Sequence, residues 1–280
     1  MRHLLKAITA LALAAGLVGA SGCGGGAGGS HLASGLPPAG GGGSLAYAVP
    51  SVPATLDPLA ARGRAAMTVT RQVYEPLIGH LTGPYGDAAS QAGLALTARP
   101  SPDRTTWTIT LRLGIRFQDG TPFNAAAVLA NARRWSRDPA GRHLLPHLFA
   151  VDAPRPDEVR FLLDSPVPDL VRRLASPRLG IVSPQALGGQ RLRLRSDVAG
   201  SGSGPFQAGP LGAGRVDLTR FAGWWGTSMG LGPSLDGVSF VVAPQQGQRL
   251  RLLQEGAVQV ADPLGPSGLR RADANPLLRT

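Results

Sequence analysis

The chain has 280 residues, enough for one large or two ordinary domains with a sizeable hydrophobic core. Apolar residues make up 43% and charged residues 16% of the sequence, and the 39 glycines and 25 prolines favour a loop-rich mixed α and β protein over a helical bundle. The formal net charge is +11. Lys6 is the only lysine, and the arginines are dispersed rather than clustered between aromatic residues, so we expect no nucleic-acid binding.

The first 22 residues have the pattern of a secretory signal peptide. Arg2 and Lys6 precede an apolar run from Ala7 to about Ala20, and small residues follow. This run is too short and too lightly flanked by charge for a stable transmembrane helix. We therefore expect residues 1–22 to be removed on export.

The single cysteine lies at the end of this segment. Ala20-Ser21-Gly22-Cys23 resembles a lipobox, the site where bacterial lipoproteins are cleaved and the new N-terminal cysteine is acylated. A lone thiol in an exported chain has no disulfide partner, which favours acylation of Cys23 over a cysteine that falls there by chance. Residues 23–44 are then a lipid-anchored linker, because their Gly/Ser-rich sequence cannot bury a core.

The stretch from Trp107 to Trp135 predicts a strand, a tight turn and a helix. Apolar and polar residues alternate from Trp107 to Arg112, which is the pattern of a strand with one buried face. Asp119-Gly120 supplies turn chemistry. Asn124 stands before an alanine-rich run, where its side chain can cap the first turn of a helix.

Further elements follow from similar local patterns. A helix candidate begins at Ala65 and should end near Tyr74, because Pro76 cannot lie deep in a helix. Ser183 and Pro184 predict the cap and first position of another helix. Local patterns also predict strands at 45–49, 159–163 and 216–221 and a short helix at 168–175. By resemblance to known sequences, a strand is expected at 235–240 and a helix followed by a turn at 248–256.

The run LRLGIRFQDGTPFNAAAVLANARRW resembles the signature of the family 5 extracellular solute-binding proteins, the oligopeptide, dipeptide and nickel receptors of bacterial ABC importers. Gln118 stands where this family often has His, and Ala127 where it usually has an acidic residue. Leu56-Asp57-Pro58 resembles the family's LDP motif. The glycine-rich segment 200–206 is similar to the family's GTGPF, which implies a tight backbone passage near the lobe junction.

The resemblance covers about residues 45–264 and implies an α+β (mixed α/β) fold, the first lobe of a periplasmic-binding-protein-like class II fold. The Pro- and Arg-rich tail, residues 265–280, is expected to be irregular. The second lobe of the family has no counterpart in this sequence, and we expect it to be missing.

The resemblance also suggests ligand-binding residues. In the family, residues just beyond the LDP motif approach the ligand, and here these include Arg62 and Arg64. Two arginines without a nearby acid can bind a carboxylate or phosphate; the alternative is that they are solvated loop residues. Tyr74 either lines the cleft or packs in the core, and aromatic side chains favour the core. The predicted ligand-binding set is Arg62, Arg64 and Tyr74.

The resemblance implies an exported solute-binding lipoprotein of an ABC importer, which captures oligopeptides or related small solutes and contacts the permease subunits. The alternative is a receptor lobe that acts as a non-transporting interaction or scaffold lipoprotein at the surface. Pro146 between His143 and His147 disrupts the helix that would place both on one metal ion, and HExxH, G-x-S-x-G and cysteine-cluster motifs are absent. The sequence thus predicts no enzyme, cofactor or metal site.

Overall fold

The computed structural model describes residues 42–79, 93–188, 200–212 and 214–279. In this part the strands are β1 (Ser44–Val49), β2 (Ala95–Pro100), β3 (Thr106–Leu111), β4 (Leu148–Arg155), β5 (Glu158–Leu163), β6 (Phe206–Ala208), β7 (Arg215–Arg220), β8 (Gly237–Val242) and β9 (Val260–Ala261). The α-helices are α1 (Gly63–Val73), α2 (Ala125–Arg137), α3 (Pro139–Leu144), α4 (Leu170–Leu174), α5 (Pro184–Gly188), α6 (Gln246–Gln254) and α7 (Pro266–Asp273). Short 3-10 helices lie at Pro58–Ala60, Pro177–Leu179 and Trp225–Met229.

The strands form two sheets. The first has the order β6-β7-β8-β1-β9, in which β1 pairs in parallel with both β8 and β9 while β6, β7 and β8 are antiparallel. The second sheet, β2-β3-β5-β4, is antiparallel throughout. Each sheet has its own cluster of buried apolar side chains. The mixed α/β fold predicted from the sequence is confirmed.

Strand β3 lies in the interior of the second sheet, and the predicted alternation is present. Trp107, Ile109 and Leu111 are buried, whereas the residues between them are partly exposed. The following turn closes at Asp119, whose carboxylate accepts the backbone N–H of Thr121 at 2.9 Å. The strand is thereby fixed with its apolar face on the core.

The Asn124 cap is also confirmed. Its side-chain oxygen accepts the backbone N–H groups of Ala126 and Ala127 at 3.0 and 3.3 Å, which satisfies two free donors of the first turn of α2. The helix continues to Arg137, two residues past the predicted end at Trp135.

The other predicted helices are present with small shifts in their bounds. Helix α1 begins two residues earlier than predicted and ends at Val73, so Tyr74 is already extended ahead of Pro76. Ser183 caps α5 by accepting the N–H of Ala186 at 3.2 Å, and Pro184 is its first residue. In α4, Leu170 and Leu174 are buried as expected, while Val171 is only partly buried.

The glycine-rich segment after residue 200 passes tightly against the end of α1. The N–H of Gly204 donates to the carbonyl oxygen of Val73 at 2.9 Å, and a Cβ on Gly202 would overlap that same oxygen. On its other side, the Gln118 amide donates to the carbonyls of Gly204 and Phe206 at 3.1 and 2.8 Å. The segment therefore joins the first sheet to the turn that follows β3, the tight passage that the sequence predicted.

The expectation of an irregular C-terminal tail is wrong, because residues 266–273 form α7. Pro266 occupies the first helical turn, where its missing N–H costs nothing, and the N–H of Gly265 donates to Gln246 Oε1 of α6 at 2.7 Å. The boundary expected between linker and folded lobe shifts slightly, since β1 begins at Ser44. The predicted signal peptide and Cys23 lie outside the described residues.

We expect Gly202→Ala to lower the free energy of unfolding by about 2 kcal/mol or more, because the new methyl group would displace backbone that cannot move freely. Gly247→Ala in α6 is the matched control, since no atom lies within 4 Å of its Cβ position and alanine favours a helix. Urea denaturation of both variants measures the difference. Equal stability of the two variants would contradict the tight passage.

Candidate functional site

The parallel strands of the first sheet end at one edge, and this edge collects charged side chains. Strand β9 is followed directly by Asp262, and the chain leaving β1 passes through the 3-10 helix at Pro58–Ala60 to the N-terminal end of α1, which carries Arg62 and Arg64. In open sheets with parallel strands, ligands bind outside the carboxyl ends of those strands. The arginines predicted from the sequence therefore lie at the N-terminal end of α1 near this edge, and their ligand-binding role stays a prediction.

Arg64 forms an ion pair with Asp262, from Nε to Oδ2 at 3.1 Å. The hydroxyl of Tyr47, on β1, donates to the same carboxylate oxygen at 3.3 Å. Burial of the phenol raises the pKa of Tyr47, and the negative charge of Asp262 raises it further, so Tyr47 remains a neutral donor. The pairing of Arg64 with Asp262 could not be predicted from the sequence, because the two residues are far apart in the chain.

Arg62 has a different environment from Arg64. It is exposed at the N-cap of α1, its side chain does not cap the helix, and in the described part of the chain no carboxylate pairs with it. Gly63 follows with a φ of 77°, a left-handed conformation that glycine adopts without strain. The Arg62 guanidinium is thus available to bind a carboxylate of a ligand.

Arg249 holds the ends of two parallel strands together. It is 5% exposed, and its guanidinium donates to the carbonyls of Ala243 and Pro244 after β8, at 2.6 and 2.8 Å. It also donates to the carbonyl of Pro263 after β9 at 2.8 Å. We did not single out Arg249 from the sequence, although it lies in the predicted helix after β8. It fixes the backbone next to Asp262.

Tyr74, the third residue of the predicted ligand-binding set, does not reach this edge. Its side chain is fully buried, and its hydroxyl is hydrogen-bonded to Ser201 Oγ at 2.8 Å. Burial raises the pKa of Tyr74, so it stays neutral. The structure therefore places Tyr74 in the core, the second of the two roles weighed for it.

Asp57 of the LDP-like motif is also occupied by structural contacts. It accepts the N–H of Leu59 at 2.9 Å and forms an ion pair with Arg134 of α2, with both side chains largely buried. The motif therefore anchors α2 beside the chain segment that leads to Arg62.

A second charged group joins the two sheets away from the strand edge. Glu75 accepts the indole N–H groups of Trp224 and Trp225 at 3.2 and 2.8 Å, and the Arg112 guanidinium lies 5.2 Å from the centre of the Trp225 ring. Burial raises the pKa of Glu75 to about 7, and the indole hydrogen bonds and Arg112 only partly oppose this. The contact between Glu75 and Trp225 joins residues 150 positions apart, so no local sequence pattern predicts it.

The residues that the structure describes contain no group of three or more His, Cys, Asp or Glu side chains suited to a metal ion. They also include no helix with the length and apolar character needed to cross a bilayer.

Comparison with known proteins gives the family. The model for bacterial extracellular solute-binding proteins, family 5 Middle, matches residues 90–280. The chain belongs to this family. Its members bind solutes and are not enzymes, and they act outside the cytoplasm as components of ABC transporters.

Individual relatives agree with this assignment. The glutathione-binding protein GsiB of Escherichia coli K12 is 32% identical over 215 residues, 75% of this chain and 40% of the relative. The substrate-binding protein CtaP of Listeria monocytogenes superposes with a TM-score of 0.70 at 24% identity, over 84% of this chain and 47% of that structure. DppA of Helicobacter pylori, solved with the peptide STSA, superposes with a TM-score of 0.69 at 20% identity, over 84% of this chain and 49% of that structure. The chain spans less than half the length of these relatives.

The raised pKa of Glu75 predicts a pH-dependent stability. The pKa of Glu75 in the folded protein, about 7, lies above its ordinary value of 4.5. The contribution of Glu75 to the free energy of unfolding is therefore fully present below pH 4.5 and is lost as the pH rises through 7. Glu75→Gln keeps an acceptor oxygen for one of the two indoles, here the closer Trp225, and has no charge to bury. We therefore expect the variant to gain about 1–3 kcal/mol relative to the parent protein between pH 5 and pH 8.

Urea denaturation at pH 5, 6, 7 and 8 measures this gain. The control is Glu255→Gln, which removes an exposed carboxylate at the end of α6. Parallel pH profiles for Glu75→Gln and the parent protein would show that Glu75 does not titrate in this range.

Proposed function

We propose that this chain captures short peptides or related small carboxylate solutes as the extracytoplasmic solute-binding component of an ABC importer. The observation that carries the proposal is the ion pair between Arg64 and Asp262 at the carboxyl edge of the parallel strands, with Arg62 exposed at the N-cap of the same helix. Membership of the family supports solute binding, and the charges at this edge indicate what kind of solute binds.

The chemistry of the edge favours an anionic group on the ligand. A guanidinium binds a carboxylate through two parallel hydrogen bonds, and Arg62 is exposed without a carboxylate partner among the described residues. GsiB is a glutathione-binding protein and DppA was solved with a peptide, and both ligands carry carboxylates. A carboxylate-bearing peptide is therefore the solute class that we propose for this chain.

We also propose that the chain is exported and held at the outer face of the cell membrane through an acylated Cys23. The lipobox-like sequence at residues 20–23 and the Gly/Ser-rich stretch that follows support this anchor. The lipid would keep the solute-binding fold close to the permease subunits of the importer.

Glutathione and the peptide STSA should raise the melting temperature of the purified chain at millimolar concentration, and calorimetry should give a dissociation constant for the better ligand. Arg62→Ala should weaken binding about tenfold, because it removes a charged partner of the ligand carboxylate. Arg172→Ala, an exposed arginine of α4 in another part of the fold, should leave affinity unchanged. The absence of any shift would favour the alternative, a surface lipoprotein that does not capture solutes.

Cys23→Ser tests the anchor. Acylation needs the cysteine thiol, so the variant should move from the membrane fraction to the soluble fraction of the exporting cell. Immunoblots of the two fractions, together with metabolic labelling by a fatty acid, provide the measurement. If the variant stays with the membrane, Cys23 is not the anchor.

A further inference from the structure

The ion pair between Arg64 and Asp262 joins a loosely held side chain to a firmly held one. The Arg64 side chain is 75% exposed, whereas that of Asp262 is 28% exposed. Among the described residues, the Arg64 guanidinium has no partner besides this carboxylate. Such an exposed arginine can leave its partner at little cost, because exposed ion pairs contribute little to stability.

Asp262 is held in place by several contacts that do not involve Arg64. Its backbone N–H donates to the carbonyl of Ala48 at 3.1 Å, and the carbonyl of the next residue, Pro263, accepts two hydrogen bonds from Arg249. The Tyr47 hydroxyl also donates to the carboxylate. The Asp262 carboxylate is therefore preorganised at the strand edge and partly open to solvent, as a ligand-binding anion should be.

We propose that Asp262 is a solute-binding residue that accepts the ammonium group of a zwitterionic solute in exchange for Arg64. The ammonium replaces one cation by another, so the carboxylate stays neutralised. The released Arg64 then joins Arg62 in binding the carboxylate of the same solute. In the complex, the Asp262 carboxylate pairs with the solute ammonium group and the solute carboxylate pairs with the two arginines. Neither carboxylate is left without a cationic partner.

This inference rests on the proposed function and deepens it, because it specifies the solute class. A solute with a carboxylate but no ammonium group would bind the arginines and leave the Arg64–Asp262 pair intact. A peptide with a free N-terminus would break that pair. A comparison of peptides that differ only at the N-terminus therefore tests the exchange at Asp262 independently of solute binding in general.

The experiment uses two probes, L-alanyl-L-alanine and its N-acetyl derivative, titrated by calorimetry into the parent chain and Asp262→Asn. The asparagine keeps the size of the side chain but removes its charge. We expect Asp262→Asn to bind the free dipeptide about tenfold more weakly, and the N-acetyl dipeptide no more weakly than the parent chain does, because the variant loses the partner of the ammonium group but frees Arg64. Asp152→Asn, which breaks an exposed pair with Arg160 in the second sheet, should change neither affinity.

The possible results are distinct. If Asp262→Asn binds the free dipeptide as tightly as the parent chain does, the exchange is overturned while the proposed function stands. If the parent chain binds neither dipeptide, solute capture itself fails and the exchange fails with it. Circular dichroism of each variant shows whether it is folded.

A second variant tests the exchange without altering Asp262. Arg64→Gln removes the internal competitor for the carboxylate. It should therefore bind L-alaninamide, a cation without a carboxylate, about threefold or more tightly than the parent chain. Equal or weaker binding would contradict displacement of Arg64 by the ammonium group.

Discussion

The parallel pairing of β1 between β8 and β9 is the constraint on which the rest of the structure depends. β1 stands at the start of the described fold, and both of its partners lie near the end of the chain. The backbone hydrogen bonds of β1 can form on both sides only after nearly all the chain between β1 and β9 has folded into place. The same pairing brings the N-terminal end of α1 to Asp262, so the sheet and the candidate site are produced by one set of hydrogen bonds.

Local features of this fold could be predicted from the sequence because their causes are local. The alternation in β3, the Asn124 cap and the end of α1 ahead of Pro76 all depend on residues within a few positions of one another. The long-range contacts are not local: the hydrogen bond from Tyr47 to Asp262 spans 215 residues, and that between Tyr74 and Ser201 spans 127. A single sequence contains no pattern that reports such pairings, which is why the partners of Arg64 and Tyr74 came only from the structure, whereas the aromatic side chain of Tyr74 already favoured a place in the core.

Close backbone contacts help to join the two sheets. Gly202 and Gly204 let the chain approach the last carbonyl of α1 closely, and Gln118 donates to carbonyls on the other side of the same segment. Glutamine stands here where the family often has histidine, and its amide supplies both donors from one nitrogen. The substitution is therefore compatible with the joint, while the Glu75 cluster adds a contact that responds to pH.

The arginines of this chain have unlike environments, which a net charge cannot reveal. Arg134 is paired with Asp57 in a largely buried contact, and Arg249 is buried against backbone carbonyls with no carboxylate hydrogen-bonded to it among the described residues. A buried guanidinium is tolerated only when its donors are satisfied, and here the carbonyl dipoles at the strand ends satisfy them. The hydrogen bonds of Arg249 thus order the strand edge. Arg62 does not cap α1 and has no carboxylate partner in the part of the chain that the structure describes, and it remains exposed. The arginines therefore divide into those that order the strand edge and those that stay exposed to solvent.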